Sequence, residues 1–197
     1  ELHMLAYFGK GFPEKIRQYC LQIIKNRAKR YDSIVDKVSL AGVEYCGEEA
    51  HAGKKSVTRL HLAKAIVAAG HAQNVNEAFV RWLRNYSAVE HFPTVQELLS
   101  QLKDFPVLCS WAHPNLEEVR KWLPDFVGYG LDGLEGFRSY KGKKYVQTIK
   151  EFARQRKIHV TGGSDYHGWG KPLGAFSFPA HEISNWAEPL GCLDSLQ

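Results

Sequence analysis

From Pro106 to Gly163, short apolar runs alternate with stretches of helical period, and this alternation limits the fold more than any other feature of the chain. Residues 107–112, 131–137 and 158–162 read as strands. Asn115-Leu-Glu-Glu118 caps a helix after the first of them, and residues 140–156 have the period of a second helix. Strands separated by helices lie parallel and are joined by right-handed crossovers. With a further β-prone run at residues 3–8 the strands number about four, and a closed parallel barrel takes roughly eight. The expected class is therefore α/β, with the chain forming part of a β/α barrel.

Residues 13–104 have a different texture. Pro13 suits the first turn of a helix, and Ile16, Tyr19, Cys20, Ile23 and Ile24 recur at helical spacing. Thr58 is placed to cap a helix running to Ala69, with Gly70 as its stop. Asn74-Val-Asn-Glu77 and Thr94-Val-Gln-Glu97 read as capping boxes, the first opening a helix through Leu83. The expected organisation is a barrel portion at 1–12 and 105–180, a helical insertion at 13–104, and a tail at 181–197.

Three of the β-prone runs carry chemistry. Ile158-His-Val-Thr-Gly-Gly-Ser-Asp-Tyr-His167 places an Asp and a His two residues apart, and in extended backbone such residues face the same side. Its two glycines leave room for a bend or a close ligand. Val107-Leu-Cys-Ser-Trp-Ala-His-Pro114 ends in His113, which the following proline biases towards extended geometry. Glu1-Leu-His-Met-Leu-Ala-Tyr-Phe8 carries His3. Taken singly, D-x-H also suits a surface turn, and each lone histidine also suits a hydrogen-bonded core position.

Taken in order, E-L-H-M-L-A-Y-F, S-W-A-H-P, G-L-D-G-L-E and G-G-S-D-Y-H resemble the PHP (polymerase and histidinol phosphatase) superfamily of metal-dependent phosphoesterases. Val57-Thr-Arg-Leu-His-Leu-Ala-Lys resembles the V-T-R-x-H segment in the helical insertion of one branch, the nucleoside 3′,5′-bisphosphate phosphatases and 5′→3′ oligoribonucleases. The resemblance implies a distorted, TIM-like PHP barrel and a metal cluster. His3, His113, Asp165 and His167 would be ligands, with Asp165 and His167 catalytic. It implies two or three divalent ions, Mn²⁺ foremost and Fe²⁺ or Zn²⁺ as alternatives. Mixed imidazole and carboxylate donors suit those ions, and a site without thiolates is unlike a structural zinc. Arg59 and His61, at a helix start, would grip a second phosphate, with Arg138 a further candidate. Glu135 reads as a support of the barrel mouth.

The family's opening H-x-H, and the D-H pair and G-x-E strand that follow it, are not found ahead of His3, where the chain opens on Glu1-Leu-His3. The expectation is that this is the C-terminal portion of a longer enzyme, whose N-terminal portion is its partner and supplies the remaining ligands. The expected reaction is hydrolysis of a phosphate monoester on a small 3′,5′-bisphosphate-type nucleotide or at the 5′ end of short RNA. A histidinol-phosphate phosphatase, or a module that binds metal or nucleotide without turnover, are the alternatives.

Composition adds boundaries. The 44% hydrophobic and 24% charged content is that of an ordinary globular protein, and no 18-residue apolar run exists to span a membrane. Cys20, Cys46, Cys109 and Cys192 form no C-x-x-C, which reads as a reduced, cytoplasmic setting. The net charge of +5 is compatible with a polyanionic substrate without requiring one. Lys25-Asn-Arg-Ala-Lys-Arg30 and Lys141-Gly-Lys-Lys144 are expected as solvated helix faces.

Overall fold

A computed structural model of the chain describes residues 2–9, 11–44, 57–86, 92–166 and 174–191. In chain order the elements are β1 (Met4–Phe8), α1 (Glu14–Leu40), α2 (Arg59–Ala68) and α3 (Val75–Ala78). A π-helical turn, Phe79–Leu83, continues α3. Then follow α4 (Val95–Leu102), β2 (Val107–Trp111), α5 (Leu116–Gly128), β3 (Gly133–Arg138), α6 (Lys143–Arg156) and β4 (His159–Gly163). A 3₁₀ turn, Ala180–Glu182, leads into the short α7 (Ser184–Ala187). No helix among the described residues is long and apolar enough to cross a membrane.

The chain divides into two units, Glu1–Phe12 with Thr94–Gln197, and Pro13–Pro93. The second unit is helical. α1 begins after Pro13 and ends before Gly42, whose φ of 94° only glycine adopts without strain. Its inner stripe is Tyr31, Ile34 and Val38, which bury against Val43, Leu62, Ile66 and Leu83. Each such aliphatic side chain contributes about 1.5–3 kcal/mol by leaving water. The buried Arg30 lies 5.0 Å over the Phe92 ring, which offsets part of its desolvation. The Asn74 cap differs from the expected box: its side chain accepts from the Glu77 amide, but the Glu77 carboxylate accepts from the Gln73 amide.

The first unit is built on a four-stranded sheet of order β1-β2-β3-β4. β2, β3 and β4 are parallel, as the strand–helix alternation requires. β1 is antiparallel to β2, with Met4 opposite Trp111 and Phe8 opposite Val107, so the sheet is mixed and, among the described residues, open. The expectation of a parallel set fails at β1, which is separated from β2 in sequence by the whole helical unit and α4 rather than by a single crossover helix. The boundary also differs from the expected 104/105. α4 falls in the first unit and buries Leu99 and Leu102 there.

The segment expected as a tail at 181–197 packs onto this unit over its described part. Trp186 and Ala187 bury against Leu108, with Tyr7, Ile183 and Leu190 around them, and Trp186 Nε1 donates to the Val160 carbonyl at 3.0 Å. Lys150 on α6 pairs with Glu182 at 2.7 Å.

Candidate metal centre

Because β1 runs against β2, its N-terminal end lies at the same end of the sheet as the C-terminal ends of β2, β3 and β4. That single fact of topology gathers the candidates. The Ala112 amide donates to the His3 carbonyl at 2.9 Å, which extends the ladder by one step past Met4. Beyond it, His3 Nδ1 and His113 Nε2 face each other at 2.8 Å, with their rings edge to face.

His113 is not extended, as its following proline led us to expect. Its φ is +38°, in the left-handed region. Asp165 is likewise left-handed, at φ +53°. β4 ends at Gly163, so the expectation that Asp165 and His167 share a face through extended backbone does not hold at Asp165. His167 lies outside the described residues. Two of the three described candidate ligands thus hold strained backbone, a condition concentrated at functional positions.

A buried carboxylate links them. Glu135, on β3, accepts from the His113 amide through Oε2 at 2.7 Å. The same oxygen lies 3.4 Å from Arg138 Nε, close enough for attraction between opposite charges. Its alignment falls short of a hydrogen bond, and Nε is the one buried side-chain polar atom left without a hydrogen bond among the described residues. Arg138 Nη2 in turn donates to Asp165 Oδ2 at 2.9 Å. The chain His113–Glu135–Arg138–Asp165 therefore ties the ends of β2, β3 and β4. Ser139 Oγ adds a bond to the Ser164 carbonyl at 3.0 Å, and Tyr145 OH one to the Pro114 carbonyl at 2.8 Å.

Burial pushes the Glu135 carboxyl above its ordinary range; the His113 amide and Arg138 oppose the rise, and Asp165 adds to it. Burial also lowers the His113 pKa, helped by His3 and Arg138 and opposed by Asp165, which favours the neutral ring a metal needs. Below these groups lies a buried pair, Ser110 Oγ and Thr161 Oγ1 at 2.7 Å.

The two glycines before Asp165 answer to space. A Cβ on Gly162 would stand 2.6 Å from both Phe137 Cβ and Phe178 Cε1. A Cβ on Gly163 would stand 2.9 Å from Glu135 Oε1. Gly162 admits the stacked Phe137–Phe178 pair, and Gly163 admits the linking carboxylate.

The donor set fits a divalent cation as part of a shell. Two nitrogens each about 2.0–2.1 Å from one ion and at right angles around it stand about 2.9 Å apart, close to the observed separation. Asp165 spends Oδ2 on Arg138, a support typical of a ligating carboxylate. Among the described residues no group of three or more His, Cys, Asp or Glu side chains converges as a cation site.

Of the expected phosphate-binding residues, Arg59 and His61 lie in the helical unit. Arg59 is the first residue of α2, with its guanidinium 5.9 Å over the Phe79 ring. His61 Nδ1 accepts from the Thr58 amide at 3.1 Å, so as the third residue of the helix it completes the cap. Arg138, read from sequence as a phosphate candidate, is engaged by Glu135 and Asp165. The sequence reads Glu135 as a support of the barrel mouth without indicating its bond to the His113 amide or its approach to Arg138; its signal is a glutamate inside the apolar run Leu131-Asp-Gly-Leu-Glu-Gly-Phe137.

The chain is similar to known proteins in sequence and in fold. No protein-family model matches the chain. A 5′-3′ exoribonuclease of Haemophilus influenzae is 31% identical over 159 residues, taking in 73% of this chain and 57% of the relative. Among solved structures, a protein of Bifidobacterium adolescentis described as a candidate metal-dependent phosphoesterase superposes with a TM-score of 0.72 at 24% identity. That match covers 94% of this chain and 70% of the other. An amidohydrolase of Chromobacterium violaceum, with bound sulfate and no metal, superposes with a TM-score of 0.73 at 15% identity over 92% of this chain and 68% of its own. The fold is that of an α/β protein of the metal-dependent phosphoesterase class. Within that class the chain belongs to the PHP superfamily and is a distant homologue of the exoribonuclease. It spans a little over half the length of that curated relative.

Proposed function

We propose that this chain carries part of the active site of a metal-dependent phosphoesterase. Its substrate is a phosphate monoester of a small 3′,5′-bisphosphate-type nucleotide or the 5′ end of a short RNA. The observation that carries the reading is the facing pair His3–His113 at the strand end where the Glu135–Arg138 link also holds Asp165. The similarity to an exoribonuclease supports an RNA-type substrate. The mixed sheet is then one arc of a PHP barrel.

In this reading His3, His113, Asp165 and His167 are ligands to two or three divalent ions, Mn²⁺ foremost. The ions supply a water activated near neutral pH and positive charge on the phosphoryl oxygens. His3 and His113 hold their positions through the β1–β2 ladder and the Glu135 bond to the His113 amide. Asp165, whose Oδ2 accepts from Arg138, is the carboxylate of the set. Arg59, with His61 at the same helix start, grips the phosphate that is not cleaved.

The test is phosphate release from a nucleoside 3′,5′-bisphosphate, a 5′-phosphorylated short RNA, histidinol phosphate and an aryl phosphate, with Mn²⁺ and with EDTA. Hydrolysis of the first two that is lost with EDTA and in His113→Ala is expected. Preference for histidinol phosphate would replace the substrate assignment. Failure of the wild-type protein to bind Mn²⁺ would overturn the metal reading.

A further inference from the structure

Two bonds bracket the His113–Pro114 step, one on either side. Upstream, the His113 amide donates to Glu135 Oε2 at 2.7 Å. Downstream, Tyr145 OH donates to the Pro114 carbonyl at 2.8 Å. The backbone between them is unfavourable on two counts. His113 has a φ of +38°, which a residue with a Cβ rarely adopts. It also precedes a proline, whose ring presses the residue before it towards extended geometry. Left to local preference, His113 would relax that way and carry its ring from His3, whose Nδ1 now stands 2.8 Å from His113 Nε2. A conformation of this kind persists only where its surroundings over-determine it.

Tyr145 is built to be the second hold. It is the third residue of α6, and its amide donates to the Gly142 carbonyl at 3.0 Å, so the helix start fixes where the side chain begins. Lys141 Nζ stands 4.8 Å over its ring. Burial pushes the Tyr145 hydroxyl up to about 12, with Arg138 opposing the rise and Glu135 adding to it. The hydroxyl therefore keeps its proton, and its ability to donate, throughout the neutral range. Pro114 precedes the Asn115 cap, so its carbonyl takes no part in the α5 ladder and is open to this bond.

We propose that Tyr145 is a positioning residue: together with Glu135 it clamps the strained His113–Pro114 step and so keeps the His113 ring facing His3. This rests on the phosphoesterase reading only for what the ring then does, which is to hold an ion. Tyr145 itself touches neither ion nor substrate in this scheme; it acts through the backbone of His113, as groups behind a metal ligand do.

The test is Tyr145→Phe, which removes the hydroxyl and keeps the ring. In EDTA, the His113 Cα and Cβ chemical shifts read by NMR are expected to move from left-handed towards extended values. Mn²⁺ affinity, measured by calorimetry, is expected to fall about tenfold. The urea midpoint in EDTA should stay level or rise, because released strain offsets the lost bond. Unchanged His113 shifts overturn the clamp whatever else moves. A lower midpoint with unchanged Mn²⁺ affinity also overturns it, since that is the mark of a tyrosine serving the fold alone. Pro114→Ala supplies a second variant. With the proline's restriction gone, adding Tyr145→Phe should cost less affinity than it does in the wild-type protein, and additive losses would count against the clamp. Wild-type protein that binds no Mn²⁺ would sink the metal reading instead, and the NMR arm, run without metal, would still decide the role of Tyr145.

Discussion

The backbone amide of His113 donates to the Glu135 carboxylate at 2.7 Å, so a candidate ligand on one strand is fixed by a buried charge on the next. Glu135→Gln keeps an acceptor for that amide but removes the charge facing Arg138. Mn²⁺ affinity, measured by calorimetry, is expected to fall about 10- to 100-fold, the usual cost of removing a group that orients a ligand. The circular-dichroism spectrum should change little. An unchanged affinity would return Glu135 to a purely structural part.

Gly162 and Gly163 should separate fold from site. Gly162→Ala drives a methyl into Phe137 and Phe178 and is expected to cost about 1–3 kcal/mol in urea unfolding. Gly163→Ala meets only the tip of Glu135, and its main effect should be weaker Mn²⁺ binding. The reverse order of effects would contradict the spatial account given to each.

Cys109 tests the electrostatics of the sheet. Burial first, and the nearby Asp132 second, push its thiol up to about 12. Mapping of iodoacetamide adducts at pH 8 should find exposed Cys20 modified and Cys109 untouched in the native protein. The sign for stability follows. Between the unperturbed 9.0 and about 12 the unfolded chain loses this proton and the folded chain keeps it. Stability should therefore fall as pH rises through that window, and Cys109→Ala should flatten the fall.

Arg59→Ala should separate substrates by their phosphates. A charge-assisted arginine–phosphate contact is worth roughly 1.5–3 kcal/mol, or about 10- to 100-fold in kcat/KM. That loss is expected on a 3′,5′-bisphosphate and not on an aryl phosphate. Equal losses on both would place Arg59 at the reacting phosphate or in the fold.

Much of the fold was legible because apolar periodicity reports burial locally. The runs at 107–112, 131–137 and 158–162 and the Thr58 and Thr94 caps emerge near where the pattern puts them. The direction of β1 was not legible, since its partner strand lies beyond the whole helical unit and no local signal encodes that pairing. Backbone at His113 and Asp165 was misread for a related reason. Proline and β-period both favour extended geometry, while tertiary links through Glu135 and Arg138 hold these residues left-handed.

Lys157 offers a control for that strain. It closes α6 at φ +57°, exposed and away from the candidate ligands. Lys157→Gly should remove about 1–2 kcal/mol of left-handed penalty and lose about 0.5–1 to backbone entropy. A small rise in melting temperature with unchanged Mn²⁺ affinity is expected.

The antiparallel seating of β1 has a consequence for the lifetime of the molecule. His3 and His113 are 110 residues apart in sequence, and among the described residues β1 is held from one side only, by β2. An edge strand with a single partner is an early place for local opening. An ion bridging the two rings would act as a clasp across the longest loop of the unit and stabilise the closed form by mass action. Protease digestion of chelator-treated protein should accordingly outpace digestion of protein kept in Mn²⁺. Metal supply would then govern how long the molecule persists.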